Sequence, residues 1–250
     1  VLAMIVGFLD DNSKKGWSEY SLGAMDLIIA LLASLIICEL EPLIMWLPVS
    51  KDPLEISPSL FIFASTILIW TSINATNCTD GVDGLSASLS SMAILFLGGI
   101  LYGIVGHADI SEYLLVPHYK QGADWAIMSF VLVGCLTGYL WHNSYPSAVM
   151  MGDSGSRPIG LMLGILVMAC GNPFLIIVVA FVVLVNGATG MIKVALLRFF
   201  KIGIFSQIRY PLHDHDRYKM GWSNTQVLVR FMLLQAVGTP ILLVLLLKIR

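Results

Sequence analysis

The chain has 250 residues, of which 57% are hydrophobic and 12% charged, and its formal net charge is −2. Together with a mean hydropathy of +0.85, this excludes a soluble domain, where about a quarter of residues are charged, and it offers no basic surface for a nucleic acid. Cys38, Cys78, Cys135 and Cys170 are scattered through apolar runs, so neither a disulfide framework nor a CxxC metal site is readable.

About 20 apolar residues cross a bilayer core. That ruler places spans at roughly 21–38, 59–73, 85–106, 125–141, 158–171, 173–192 and 226–247, after an apolar run at 1–9. Residues 1–9 are too short to cross, lack a basic n-region and have no cleavage site, so they read as the end of a helix that begins upstream. The expectation is an all-α, polytopic integral membrane helical bundle with seven full spans and a partial one, forming a single transmembrane catalytic domain over 1–250. The short spans at 59–73 and 158–171 adjoin Gly- or Asn-containing sequence, which is expected to continue as irregular backbone lining a cavity. Cys170-Gly171-Asn172-Pro173 reads as a turn between antiparallel helices.

Alternation of the spans puts the segments after Asp11, at 74–84, at 142–157 and at 193–225 on one side. That side carries Lys14, Lys15, Arg157, Lys193, Arg198, Lys201, Arg209, Arg217, Lys219 and Arg230, against Lys51, Lys120, Lys248 and Arg250 on the other. The excess marks the first side as cytoplasmic. The acidic and Pro-bearing loops at 39–58 and 107–124, among them Glu39, Glu41 and Pro42, become extracytoplasmic caps.

All the aspartate motifs share the cytoplasmic side. Asp10-Asp11-Asn12-Ser13-Lys14 closes the first apolar run, and adjacent carboxylates at a membrane boundary invite a divalent cation or a ligand-plus-base pairing. Asn74-Ala75-Thr76-Asn77-Cys78-Thr79-Asp80-Gly81-Val82-Asp83-Gly84 is the most specific stretch and reads as a compact polar loop suited to a nucleobase or ribose and a cation. Trp141-His142-Asn143 begins a loop ending in Met150-Met151-Gly152-Asp153-Ser154-Gly155-Ser156-Arg157, where a carboxylate between glycines at a helix mouth suits phosphate and metal. Pro211-Leu212-His213-Asp214-His215-Asp216-Arg217 supplies two imidazoles beside arginines, a pattern suited to contacting a diphosphate. The plainer alternatives are solvated helix ends, an N-cap at Asp153, methionine packing and turns. Residues 202–208 suggest an interfacial amphipathic segment, and Lys193 and Arg198 read as snorkelling anchors.

The order Gly-Phe-Leu-Asp-Asp-x-x-Lys, Asn-Ala-x-Asn-x-Thr-Asp-Gly-x-Asp-Gly-Leu, Asn-x-x-Pro-x-x-x-x-Met-Gly-Asp-x-Gly-Ser and Pro-Leu-His-x-His resembles the polyprenyl-phosphate N-acetylhexosamine-1-phosphate transferases, from Gly7 to Phe231. The resemblance implies a ten-helix fold whose N-terminal helices precede this chain, a bacterial inner-membrane location and an active site facing the cytoplasm. Its closest branch implies Mg²⁺-dependent transfer of phospho-MurNAc-pentapeptide from UDP-MurNAc-pentapeptide to undecaprenyl phosphate, giving lipid I and UMP in peptidoglycan synthesis. Transferred by motif, Asp10 and Asp11 would orient or deprotonate the lipid phosphate, and Asp153 with Asp11 would bind Mg²⁺. Lys14, Asn74, Asn77, Asp80, Asp83 and Asn143 would hold substrate, and His213 and His215 would flank the diphosphate or sugar. Three departures from the family pattern stand out: Asp214 in place of a middle histidine, Met150 where an aromatic is common, and no further lysine after Lys15. A related transferase of GlcNAc-1-phosphate is the nearest alternative, and a secondary transporter is disfavoured by the one-sided clustering of acids. The apolar lipid-facing spans are compatible with a homodimer.

Overall fold

The computed structural model describes residues 1–40, 43–48, 50 and 52–248. Glu41, Pro42, Lys51 and Arg250, which the loop and charge readings used, lie outside the described residues. In chain order the elements are α1 (Leu2–Asp11), α2 (Glu19–Leu40), the paired strands β1 (Ile44–Met45) and β2 (Leu54–Glu55), α3 (Pro58–Thr79) and α4 (Leu85–Ile100), which runs on through a π-helical turn at Leu101–Val105. Then follow α5 (Ala108–Tyr113), α6 (Gly122–Asn143), α7 (Gly152–Ala169), α8 (Leu175–Val179), α9 (Phe181–Val183), a second π-helical turn (Leu184–Ala188), α10 (Thr189–Phe200), α11 (Leu212–Tyr218) and α12 (Asn224–Lys248). Among the described residues, six helices are long and apolar enough to cross a membrane, not the seven full spans expected: α7, which contains the expected span at 158–171, opens on Asp153 and Arg157 and is not among them.

Helix α4 is the axis of the bundle. Its membrane segment is 61% buried, whereas that of α6 is 17% buried and turns Ile127, Phe130 and Val131 outward. The reason is composition: Ser86, Ala87, Ser88, Ser90 and Ala93 are small, so neighbouring helices approach α4 closely, as membrane interfaces require. Helices α3 and α7 pack most intimately. Gly160 and Gly164, one turn apart on α7, meet the backbone of Ile73 and Ile69 with no room for a side chain, and Ser72 donates to the Gly160 carbonyl at 2.8 Å. This contact sets the height at which the ends of α3 and α7 meet.

Three expectations about the backbone are corrected. The helix expected to end at 73 continues to Thr79, so Asn74 to Thr79 are its last turns and only residues 80–84 form the loop. The polar side chains do not break the helix because they bond back to it: Asn74 donates to the Trp70 carbonyl at 2.9 Å and Thr79 to that of Ala75 at 2.7 Å. Likewise, α7 starts at Gly152, well before the expected 158, with Pro158 inside it. The segment expected as one span at 173–192 is broken at Ala180 and bulged at 184–188, yet reaches Phe200. Gln235 of α12 satisfies the break: its Oε1 accepts the Val182 N–H at 3.2 Å while its amide donates to the Val179 carbonyl and, at 3.0 Å, to Thr239 Oγ1.

The Cys170–Pro173 turn forms as expected, with Gly171 at φ +68°. Trp46 crosses to it, donating Nε1 to the Cys170 carbonyl at 2.7 Å and its backbone N–H to the Gly171 carbonyl at 3.0 Å. Tyr119 OH reaches the Ile44 carbonyl at 2.6 Å. These contacts close the end of the bundle opposite the aspartates.

Candidate active site

The aspartate motifs, dispersed over the sequence, converge at one end of the bundle. The C-terminus of α1 meets the N-terminus of α7: Asp11 accepts the backbone N–H groups of Asp153 at 3.2 Å and Ser154 at 3.0 Å through its two carboxylate oxygens. Asp11 therefore caps α7 from another helix, filling the role that the sequence alone offered to Asp153. Gly152 makes this possible, since it adopts φ +63° and a Cβ there would lie 2.7 Å from Asp11 Oδ2. Asp10 turns the other way and accepts the Trp17 N–H at 2.6 Å.

The 80–84 loop lies against the same point. Asn77, at the end of α3, donates to Asp153 Oδ2 at 3.2 Å. Asp80 accepts a hydrogen bond from the Gly152 backbone, and its carboxyl is pushed up to about 6, first by burial and next by the Asp153, Asp11 and Asp83 carboxylates around it. Asp83 accepts the Ser147 hydroxyl at 3.0 Å. Asn143 is 5% exposed and spends its amide on the protein, accepting the Gly84 N–H at 2.8 Å and donating to the Val149 carbonyl at 2.6 Å. Its observed place is a buckle between the 80–84 loop and the loop after α6.

His213 reaches the site from the other side. Its Nε2 presses on Gly81, where any side chain would collide with it. The π-helical turn at 184–188 aims Asn186 at the ring: Asn186 Oδ1 accepts the His213 N–H at 2.9 Å, the amide lies 3.1 Å from Nδ1, and it donates to Thr79 Oγ1 at 3.1 Å. Burial lowers the pKa of His213, with Asp214 opposing and Arg217 reinforcing the shift, so the imidazole is neutral near pH 7. His215 is turned away, its Nδ1 accepting the Arg209 N–H at 3.2 Å. Asp214, in the place of the family's middle histidine, lies 3.6 Å from Arg209 and 3.7 Å from Arg217. Lys14 is exposed on the loop after α1.

Sequence reasoning missed Asn186, buried within an apolar run, and Asp26, a fully buried acid of α2 that pairs with Arg157. The only signal for Asp26 is a lone carboxylate inside a membrane-length helix, which is costly unless partnered. Lys193 does more than snorkel, donating to the carbonyls of Phe205 at 2.9 Å and Ile208 at 2.7 Å, and so holding the irregular 201–211 segment in place. Arg198 pairs with Glu19 at 3.0 Å.

Two clefts flank the aspartates. One, of about 790 Å³, runs between α2, α3 and α10 past Leu27, Trp70, Met191 and Phe199 to Asn74 and Cys78. The other, of about 560 Å³, lies between α1, α6 and α7 and includes Phe8, Tyr139, Met150 and Met151.

Among the described residues, no three carboxylate, imidazole or thiol groups are drawn into a finished metal cluster. Asp11, Asp80, Asp83 and Asp153 nonetheless bring hard oxygen donors, the type that suits a divalent cation, to one end of the bundle, and Asp80 feels the negative charge of the other three after the larger effect of its own burial.

The bundle of membrane helices thus gathers acids, amides and a buried histidine at one end. The profile described as glycosyl transferase family 4 matches residues 1–171. A phospho-N-acetylmuramoyl-pentapeptide-transferase of Treponema pallidum (strain Nichols) is 49% identical over 250 residues, covering 99% of this chain and 69% of the relative. Proteins of the same name from Sulfurimonas denitrificans, 32% identical over 98% of this chain and 70% of the relative, and from Campylobacter curvus, 36% identical over 71% and 49%, also match. The chain belongs to glycosyl transferase family 4, among the phospho-N-acetylmuramoyl-pentapeptide-transferases.

Proposed function

We propose that the protein transfers phospho-MurNAc-pentapeptide from UDP-MurNAc-pentapeptide to undecaprenyl phosphate, releasing UMP and forming lipid I, with the site on the cytoplasmic face of the bacterial inner membrane. The observation that carries this reading is the convergence of Asp11, Asp80, Asp153 and His213 at one membrane end, in a chain 49% identical to a transferase of that name.

Asp153, Asp11 and Asp80 would hold Mg²⁺, which when bound neutralises diphosphate charge and favours departure of UMP. The residues of the chain do the rest. An oxygen of the lipid phosphate attacks the sugar-bearing phosphorus of the UDP-sugar, a new P–O bond forms, and the bond to the UMP phosphate breaks. Asp10, beside Asp11 and bonded to the Trp17 N–H, would take a proton from, or orient, the incoming lipid phosphate. His213, neutral and fixed by Asn186, presents an imidazole nitrogen to the Asp80–Gly84 loop, where a sugar or diphosphate oxygen would sit. Asn77 and Asp83 border the same loop as ligands for the uridine part, while Asn143 acts by holding the loop in shape. Arg209 and Arg217, with Asp214 between them, supply cationic cover for a diphosphate, and His215 anchors their segment. The apolar cleft beside α10, ending at Asn74, suits a polyprenyl chain lying along the bundle.

Purified protein in nanodiscs with Mg²⁺ and undecaprenyl phosphate is expected to convert UDP-MurNAc-pentapeptide to a lipid-linked product, separable by thin-layer chromatography, and to stop when the metal is chelated. No lipid-linked product with any UDP-sugar would remove the proposal. Direct attack further predicts no exchange of labelled UMP into the UDP-sugar without lipid; such exchange would point instead to a covalent aspartyl intermediate.

A further inference from the structure

We infer that Asp26 and Arg157 form a buried positioning pair that fixes Asp153 without consuming its negative charge. The inference rests on the reading of Asp153 as a carboxylate of the reactive centre. Arg157 stands one turn beyond Asp153 on α7 and is 4% exposed, and Asp26 on α2 is fully buried. The guanidinium spans both: Nε and Nη2 donate to Asp153 Oδ2 at 2.8 and 2.6 Å, while Nη1 donates to Asp26 Oδ2. Asn77 adds a donor to the same Asp153 oxygen at 3.2 Å. All these donors fall on Oδ2, so one oxygen of Asp153 is held and the other is left for a ligand.

Charge explains why two residues are needed. A lone buried arginine against Asp153 would hold the carboxylate but cancel it, and an unpaired arginine at this depth is costly. Asp26 neutralises the arginine from the far side, leaving one net negative charge on the three groups. Only a planar fork can serve two carboxylates in this way; a lysine ammonium offers a point charge without the geometry. Asp26 meets Asp153 through the guanidinium and is also hydrogen-bonded by the Asn74 side chain, so it acts on the reactive centre by position. Neither residue was singled out for a role by its motif, since the two are separated by 131 positions.

The test compares the parent with Asp26→Asn, Arg157→Lys, a double Asp26→Leu/Arg157→Leu variant and Asp153→Asn, all in nanodiscs. It reads kcat and KM for UMP release and, independently of turnover, the Mg²⁺-induced rise in unfolding temperature. Asp26→Asn is expected to keep KM within about twofold, to lose roughly 100-fold in kcat and to show a smaller Mg²⁺ shift, because the arginine now cancels Asp153. Removing both charges is expected to recover about tenfold of that kcat and the Mg²⁺ shift. Arg157→Lys, informative even where the double variant fails to fold, is expected to lower kcat while retaining the charge. A folded Asp26→Asn with parental kcat and Mg²⁺ shift overturns the inference, as does a kcat loss that only tracks falling metal-free stability with the Mg²⁺ shift intact. An inactive Asp153→Asn beside an unaffected Asp26→Asn removes this inference alone, whereas a fully active Asp153→Asn removes the reading beneath it.

Discussion

Gly81 and His213 share one small space, and the site depends on neither giving way. A methyl group at 81 would overlap His213 Nε2 and push the ring off Asn186. Gly81→Ala is therefore expected to fold normally but to lose roughly 100-fold in kcat, the scale at which a displacement of about 1 Å is felt; circular dichroism with steady-state kinetics checks both halves. Asp80 gives a pH test. Its folded pKa of about 6 lies above the ordinary carboxylate value, so its contribution to stability is present at low pH and is lost as pH rises through about 6. The metal-free protein is expected to lose unfolding temperature between pH 5 and 7 more steeply than Asp80→Asn does, with Mg²⁺ reversing the difference at pH 7. His213, whose lowered pKa acts in the opposite sense, is present in both proteins and drops out of the comparison. Equal slopes would show that burial and the neighbouring carboxylates do not raise Asp80.

Among the elements, the broken helix 175–200 is where a long apolar run is turned into a tool. Its break at Ala180 is tolerated because Gln235 supplies both a donor and an acceptor, and the bulge at 184–188 then rotates Asn186 toward Thr79 and His213. Gln235→Leu leaves the Val182 N–H without that acceptor and is expected to cost about 1–2 kcal/mol of stability, seen as a lower midpoint in detergent unfolding. None of this is legible in 173–192, because a π-helical turn depends on which neighbour satisfies the backbone, and Gln235 comes from another helix. The reverse error has the same origin. Asn74 to Thr79 look like a loop by composition, yet their side chains bond back to their own helix and α3 continues. The turn at 170–173 and the aspartates were legible because glycine, proline and charge act locally, and the spans were legible as apolar runs but not in where α3, α7 and the 175–200 helix begin and end. Asp26 and Arg157 were not, since their meaning lies in a contact between α2 and α7.

At the scale of the whole molecule, the bundle is a device for bringing the ends of α1, α3, α7 and α11 to one level, with Trp46 and Tyr119 bracing the opposite end. A one-sided arrangement of this kind predicts an enzyme acting at one membrane face, not a conduit through it. The most direct test follows UMP release in nanodiscs, with Mg²⁺ and undecaprenyl phosphate, from UDP-MurNAc-pentapeptide and from UDP-GlcNAc in parallel, with Asp153→Asn as control. Release from the muramoyl substrate alone, lost in the variant, is the predicted result; release from UDP-GlcNAc alone, or undiminished release by Asp153→Asn, would contradict the account.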